Sequence, residues 1–172
     1  MRSRSLLAAG AAVLFLSGSA GLTALSAGAA AAARTPWCGN ADLAVGYRTS
    51  GAAMGSTYGY VVLRNRSDHA CRTGGWGGVS YVGDGDGTRI GAPADRTGTP
   101  TTFVLDPGQR ARSLLQQNEE ANYPRATCRP HPVDGFRVYV PDATHAQFVA
   151  HRTTGCLNNA VHLLSSRPFR KV

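Results

Sequence analysis

The chain has 172 residues, 18 Lys and Arg against 10 Asp and Glu, and a formal net charge of +8. That length suits one domain. Seventeen of the 18 basic residues are arginine and only Lys171 is lysine, a skew that points to a GC-rich genome before it points to a ligand.

In chain order, Met1 to Ser5 is short and basic, Leu6 to Leu25 is apolar or small, and Ala27 to Ala33 is rich in small-residue cut sites. That order is the signature of a secretory signal peptide, so residues 1–33 are expected to be removed and 34–172 to form a single secreted domain. A permanent span would need about 20 strongly apolar residues. Gly10, Ser17, Gly18, Ser19, Gly21, Thr23 and Ser26 dilute this stretch, and no later run is long enough to span a bilayer. The absence of an adjacent Arg-Arg pair argues against the twin-arginine route. Loss of Arg2 and Arg4 leaves a formal charge of about +6.

After Trp37 short apolar runs of period two alternate with Gly and Pro, the pattern of many short strands. Ala41–Tyr47 places Leu43, Val45 and Tyr47 on one face. Ser56–Asn65 is the longest run, and its aromatic and β-branched residues favour a pleated surface. Gly78–Val82 and Thr88–Ile90 flank Gly83-Asp-Gly-Asp-Gly87, a hairpin signal because Asp-Gly pairs tolerate positive φ. Thr101–Leu105 runs into the turn Asp106-Pro-Gly-Gln109, and Arg110–Gln116 returns with Ala111, Ser113 and Leu115 on one face. Asn118–Pro132 reads as irregular. Asp134–Val140 turns Phe136, Val138 and Val140 inward. His145–Ala150 sets Ala146, Phe148 and Ala150 on one side, and Ala160–Leu164 closes the domain. The sum is an all-β chain of about eight short strands, spaced as in an antiparallel β-sandwich of immunoglobulin type.

Cys38, Cys71, Cys128 and Cys156 are an even set in an exported chain, hence two disulfides. No two lie closer than 28 positions, so the close pairs of structural zinc sites are missing and no metal or cofactor is expected. Three pairings are open by count alone. Strand order selects among them: Cys38 precedes the first strand and Cys71 follows the second, and Cys128 and Cys156 bracket the Phe136 and Phe148 strands in the same way. Antiparallel neighbours would then join Cys38 to Cys71 and Cys128 to Cys156.

Val62-Leu-Arg-Asn-Arg-Ser67, Cys71, Gly74-Gly-Trp-Gly-Gly-Val79, the Asp84-Gly-Asp-Gly87 hairpin, Leu105-Asp-Pro-Gly108, Cys128, Gly135-Phe-Arg-Val-Tyr139 and Cys156 occur in an order that resembles an actinobacterial family of secreted domains of unknown function, number 4232. The likeness runs from Cys38 to about Leu164. It implies an exported immunoglobulin-like sandwich and carries no catalytic residues with it.

The chemistry-bearing residues are sparse. Six strand residues separate His145 from His151, about 20 Å, too far to share one ion. His69, His131 and His162 stand in other segments and read as surface or loop histidines. Gly-x-Ser-x-Gly is absent after residue 33, and Glu119 and Glu120 are adjacent rather than set across a cleft, so a hydrolase ranks last. Asn65-Arg-Ser67 fits a glycosylation acceptor but reads as a strand end. Two binding hints remain: the aromatics Tyr58, Tyr60 and Trp76, and the basic cluster Arg64, Arg66 and Arg72 with a tail of Arg167, Arg170 and Lys171. Together they suggest an interaction module for an envelope or extracellular partner, with an anionic cell-wall polymer as one such partner. Nucleic acid is not expected of an exported chain without an aromatic-interleaved binding motif. A ligand-free structural protein is the alternative. A binding module should carry exposed Trp76, or a Tyr58/Tyr60 face, beside basic residues in one concave patch.

Overall fold

A computed structural model describes residues 34–172; the expected signal peptide, 1–33, lies outside the described residues. The strands are β1 (Leu43–Ala53), β2 (Ser56–Asn65), β3 (Cys71–Gly74), β4 (Gly78–Gly83), β5 (Thr88–Ile90), β6 (Asp95–Arg96), β7 (Thr102–Leu105), β8 (Arg110–Asn118), β9 (Pro130–Tyr139), β10 (Ala146–Cys156), β11 (Leu164–Ser166) and β12 (Arg170–Lys171). One sheet runs β1-β2-β8-β11-β6, with β12 also on β8; a second runs β10-β9-β4-β5; β3 and β7 form a separate ribbon.

Alternation builds the core between the two main sheets. Val61 and Leu63 of β2 and Ala111 and Leu115 of β8 are buried from one side, and Tyr81 of β4 with Phe136 and Val138 of β9 from the other. The sheets meet directly. The Tyr47 ring of β1 lies 5.0 Å from that of Phe136, and the Tyr81 hydroxyl donates to Gln117 Oε1 on β8 at 2.9 Å. The chain is therefore an all-β sandwich, as its periodicity indicates. Gly59 is required by close approach, because a Cβ there would sit 2.2 Å from the Tyr47 hydroxyl. Among the described residues no helix is long and apolar enough to cross a membrane.

Both disulfides follow the strand-order expectation. Cys38–Cys71 has a Cα separation of 4.9 Å and Cys128–Cys156 one of 4.7 Å. β1 and β2 are antiparallel neighbours, as are β9 and β10, so each pair of cysteines meets at one end of a hairpin.

Asn65 is the polar pin that organises this end of the sandwich. It is fully buried. Its Nδ2 donates to the carbonyls of His69 and Leu105 at 2.8 and 2.9 Å, and its Oδ1 accepts from the Ser67 amide and hydroxyl. Its backbone exchanges hydrogen bonds with Gly108 and Gln109. Asn65-Arg-Ser67 is thus a structural turn whose asparagine is inaccessible.

The same contacts correct one expectation. Asp106–Gln109 does form a turn, with Gly108 at φ 80° after Pro107, but β7 and β8 are not partners. β7 pairs with β3 and β8 with β2, so the turn carries the chain from the ribbon to the first sheet. Other corrections are local. Among the described residues there are twelve strands rather than about eight, because β3, β6 and β12 are only two to four residues long and leave no periodicity to read. β1 continues past Tyr47 to Ala53 as a solvent-exposed ribbon with a bulge between Thr49 and Gly51. The stretch 118–132 contains a 3₁₀ turn, Glu120–Asn122, and one helical turn, Arg125–Cys128. The last long apolar run gives strand only from Leu164. On β10 the side carrying Ala146, Phe148 and Ala150 faces outward, and Phe148 is 61% exposed.

At the edge where the sheets meet, Gln147 of β10 reaches across to β1. Its Oε1 accepts from the Val45 amide at 3.3 Å, and its Nε2 donates to the Leu43 carbonyl at 2.7 Å and to Asn40.

Candidate ligand-binding face

The outward positions of β1, β2 and β8 form one continuous surface. In antiparallel pairs, residues directly opposite share a face. Arg64 stands opposite Arg110, Val62 opposite Arg112, and Tyr60 is flanked by Arg48 and Leu114. Tyr58 stands opposite Gln116. Arg48, Arg64, Arg110 and Arg112 are exposed, and the two tyrosines are half-buried. The Arg112 guanidinium lies 4.5 Å from the centroid of the Tyr60 ring, a cation–π contact.

No Asp or Glu occurs anywhere in β1, β2, β8, β11 or β12. Among the described residues, ion pairs within 4.0 Å join only histidine to aspartate. The guanidinium charge on this face is therefore not neutralised from within. The one acid on this sheet's strands is Asp95 on the edge strand β6, where it is hydrogen-bonded to His162; a codon bias toward arginine would scatter the residue but would not clear acids from β1, β2 and β8.

Shallow depressions mark the surface. Arg48, Arg64 and Arg110 line a depression of about 340 Å³. Arg48, Tyr60, Arg110 and Arg112 line its neighbour of about 270 Å³, with Arg48, Val62 and Arg110 common to both. Tyr58, Thr97, Leu114 and Arg167 border a third of about 420 Å³.

The predicted residues are only partly brought together. Tyr58, Tyr60 and Arg64 lie on this face. Arg66 turns away, its Nε donating to the Ala41 carbonyl at 2.7 Å. Arg72 lies on the separate ribbon, its guanidinium 4.5 Å from the Trp37 ring centroid. The expected cluster of Arg64, Arg66 and Arg72 is thus dispersed, because strand alternation and the Asn65 turn aim the three in different directions. Trp76 is half-buried and anchored by a hydrogen bond from Nε1 to the Thr97 carbonyl at 3.1 Å; it adjoins the third depression through Thr97. Of the basic tail, Arg167 borders that depression, and Arg170 pairs opposite Arg112 with its guanidinium on Thr99 and Thr101. Sequence reading missed Arg48, Arg110 and Arg112. Arg110 and Arg112 do alternate with the inward Ala111 and Ser113, but nothing local says that β8 lies beside β2. It also missed Trp37, which is 47% exposed.

One histidine departs from its expected surface position. His151 stacks on Phe136 with centroids 4.8 Å apart, and its Nε2–H donates to Gln117 Oε1 at 3.0 Å. Gln117 Nε2 donates in turn to the Tyr47 hydroxyl at 2.6 Å. Burial holds the His151 imidazole below its ordinary pKa and pushes the Tyr81 phenol up. The other close histidine partners are carboxylates: Asp68 beside His69, Asp84 beside His131 and Asp95 beside His162. The hydrogen bond from His69 holds the Asp68 carboxyl below its usual range. Among the described residues no hydroxyl is hydrogen-bonded to a histidine ring nitrogen, so no nucleophile–base pair is assembled there. No group of three metal-ligating side chains occurs among them either.

A depression of about 760 Å³, larger than any of these three, lies on the opposite sheet between Phe148 and the Asp84–Gly87 hairpin. Its walls carry both signs, Asp86 and Asp134 with Arg152. Both carboxylates already accept backbone amides, those of Thr88 and Gly85. Size favours this hollow, but unpaired charge of one sign favours the arginine face.

Fold and face together define a disulfide-stapled β-sandwich whose outer face over β1, β2 and β8 is basic and carries no acid. A family model described as Domain of unknown function (DUF4232) matches residues 38–170. The chain belongs to that family. Neither the curated proteins nor the solved structures contain a match to it.

Proposed function

We propose that the chain is an exported, non-catalytic interaction module of an actinobacterial type, and that it binds an anionic polymer of the cell envelope through the outer face of β1, β2 and β8. The acid-free surface with four exposed arginines carries this reading. A field of one sign over this surface raises the local concentration of a polyanion and speeds its association. Export is supported by the order of residues 1–33 and by two disulfides, which persist in oxidising compartments.

The test is sedimentation of the disulfide-bonded protein with purified cell walls, before and after chemical extraction of their anionic polymers. The protein should pellet with intact walls, leave them as salt is raised, and lose most of its retention on extracted walls. Retention that is indifferent to both salt and extraction would overturn the reading and favour a ligand-free structural protein.

A further inference from the structure

We infer that the polymer this face binds is a linear chain of phosphodiesters joined by short polyol bridges, held lengthwise along the strands. The inference rests on the anionic-polymer reading above. Its first support is the number of guanidiniums per depression. Arg48, Arg64 and Arg110 converge on one, and Arg48, Arg110 and Arg112 on the next. A phosphodiester sets its two charged oxygens on a tetrahedral centre, out of the single plane of a carboxylate, so guanidiniums from neighbouring strands can reach them from more than one direction.

The second support is spacing. Arg112 and Arg110 are two residues apart on one strand, about 7 Å. That separation allows one phosphate per depression when a short bridge divides them. From Arg64 back to Tyr58 the track covers six residues of β2, about 20 Å, enough for several repeats. The third support concerns what fills the gaps. Val62 and Leu114 are half-buried and apolar beside the guanidiniums, which suits the carbon bridges of a polyol. Arg112 already covers one face of the Tyr60 ring, which disfavours the stacked bases of a nucleic acid strand.

Calorimetric titration of the disulfide-bonded protein separates the possibilities. The probes are a glycerol-phosphate oligomer, free glycerol phosphate, inorganic polyphosphate, polyglutamate and a single-stranded oligonucleotide, the polymers being matched in charge. The glycerol-phosphate oligomer should bind at least about tenfold more tightly than polyglutamate or the free monomer, and more tightly than polyphosphate or the oligonucleotide. Arg110→Lys keeps the charge and removes the fork; it should weaken the oligomer about threefold or more, and by a larger factor than it weakens polyglutamate. Equal affinity for polyglutamate, or an unaffected Arg110→Lys variant of normal melting temperature, would overturn the phosphate inference while leaving a general polyanion site in place. Tighter binding of polyphosphate or the oligonucleotide would overturn the polyol assignment. No binding of any polyanion by the folded protein would overturn the underlying reading as well.

Discussion

The two outer faces of this sandwich are built by the same alternation and differ in kind. On the first sheet the outward residues of β1, β2 and β8 are arginines, tyrosines, Gln116 and small or apolar groups, with no acid among them. On the second sheet the exposed feature is a single ring, Phe148, laid against the backbone of Gly135, with Asp86, Asp134 and Arg152 around it. One face carries charge without internal partners, and the other carries charges of both signs. The comparison shows that net basicity says little here, whereas its segregation to one sheet says much.

The largest effect should come from the frame both faces share. Each disulfide closes a loop of about 30 residues and contributes on the order of 3–4 kcal/mol. Reduction should lower the melting temperature steeply and abolish polyanion binding, and the comparison fails if the reduced protein still binds. Asn65→Ala comes next. It strips the hydrogen-bonding side chain from a fully buried turn, and chemical denaturation should show a loss of about 2–4 kcal/mol. The double variant Arg110→Ala/Arg112→Ala should cost about tenfold or more in polyanion affinity with little change in melting temperature, since both side chains are exposed. Arg152→Ala on the opposite face should change neither. Equal losses from both faces in that binding assay would erase the distinction between them.

The smallest effect concerns pH. Burial lowers the His151 pKa from its ordinary value of 6.5, so the unfolded chain binds the proton more readily than the folded one. Stability is then fully present above about pH 6.5 and declines as pH falls from there toward the folded-state value. His151→Asn should flatten that decline by less than about 1 kcal/mol, because the ring is only half-buried. Denaturation midpoints across this range measure it.

Much of the frame was legible in the sequence, and less of the face. Val61, Leu63, Phe136 and Val138 announce themselves by period two, and hairpin neighbours bring the cysteines together, so strands and disulfides follow from local rules. The face requires knowing that β8 pairs with β2 although 44 residues separate Asn65 from Arg110 in the chain. That adjacency is set by Asn65 holding the Leu105–Gln109 turn, a buried side-chain contact with no periodic signature. Which side of β10 faces water was not legible for a related reason: Phe148 and Val149 put apolar groups on both sides, and only packing on β9 decides between them.

Gln147 has a consequence for how copies of this protein meet. Its amide occupies the Val45 N–H and the Leu43 carbonyl at the free margin of β1, where a neighbouring molecule's strand would otherwise dock. One side chain thus imitates a stretch of backbone and denies that margin to intruders. Gln147→Leu would leave the fold its apolar seam but open a template for strand addition. Such a variant should form oligomers in concentrated solution, where light scattering would detect them.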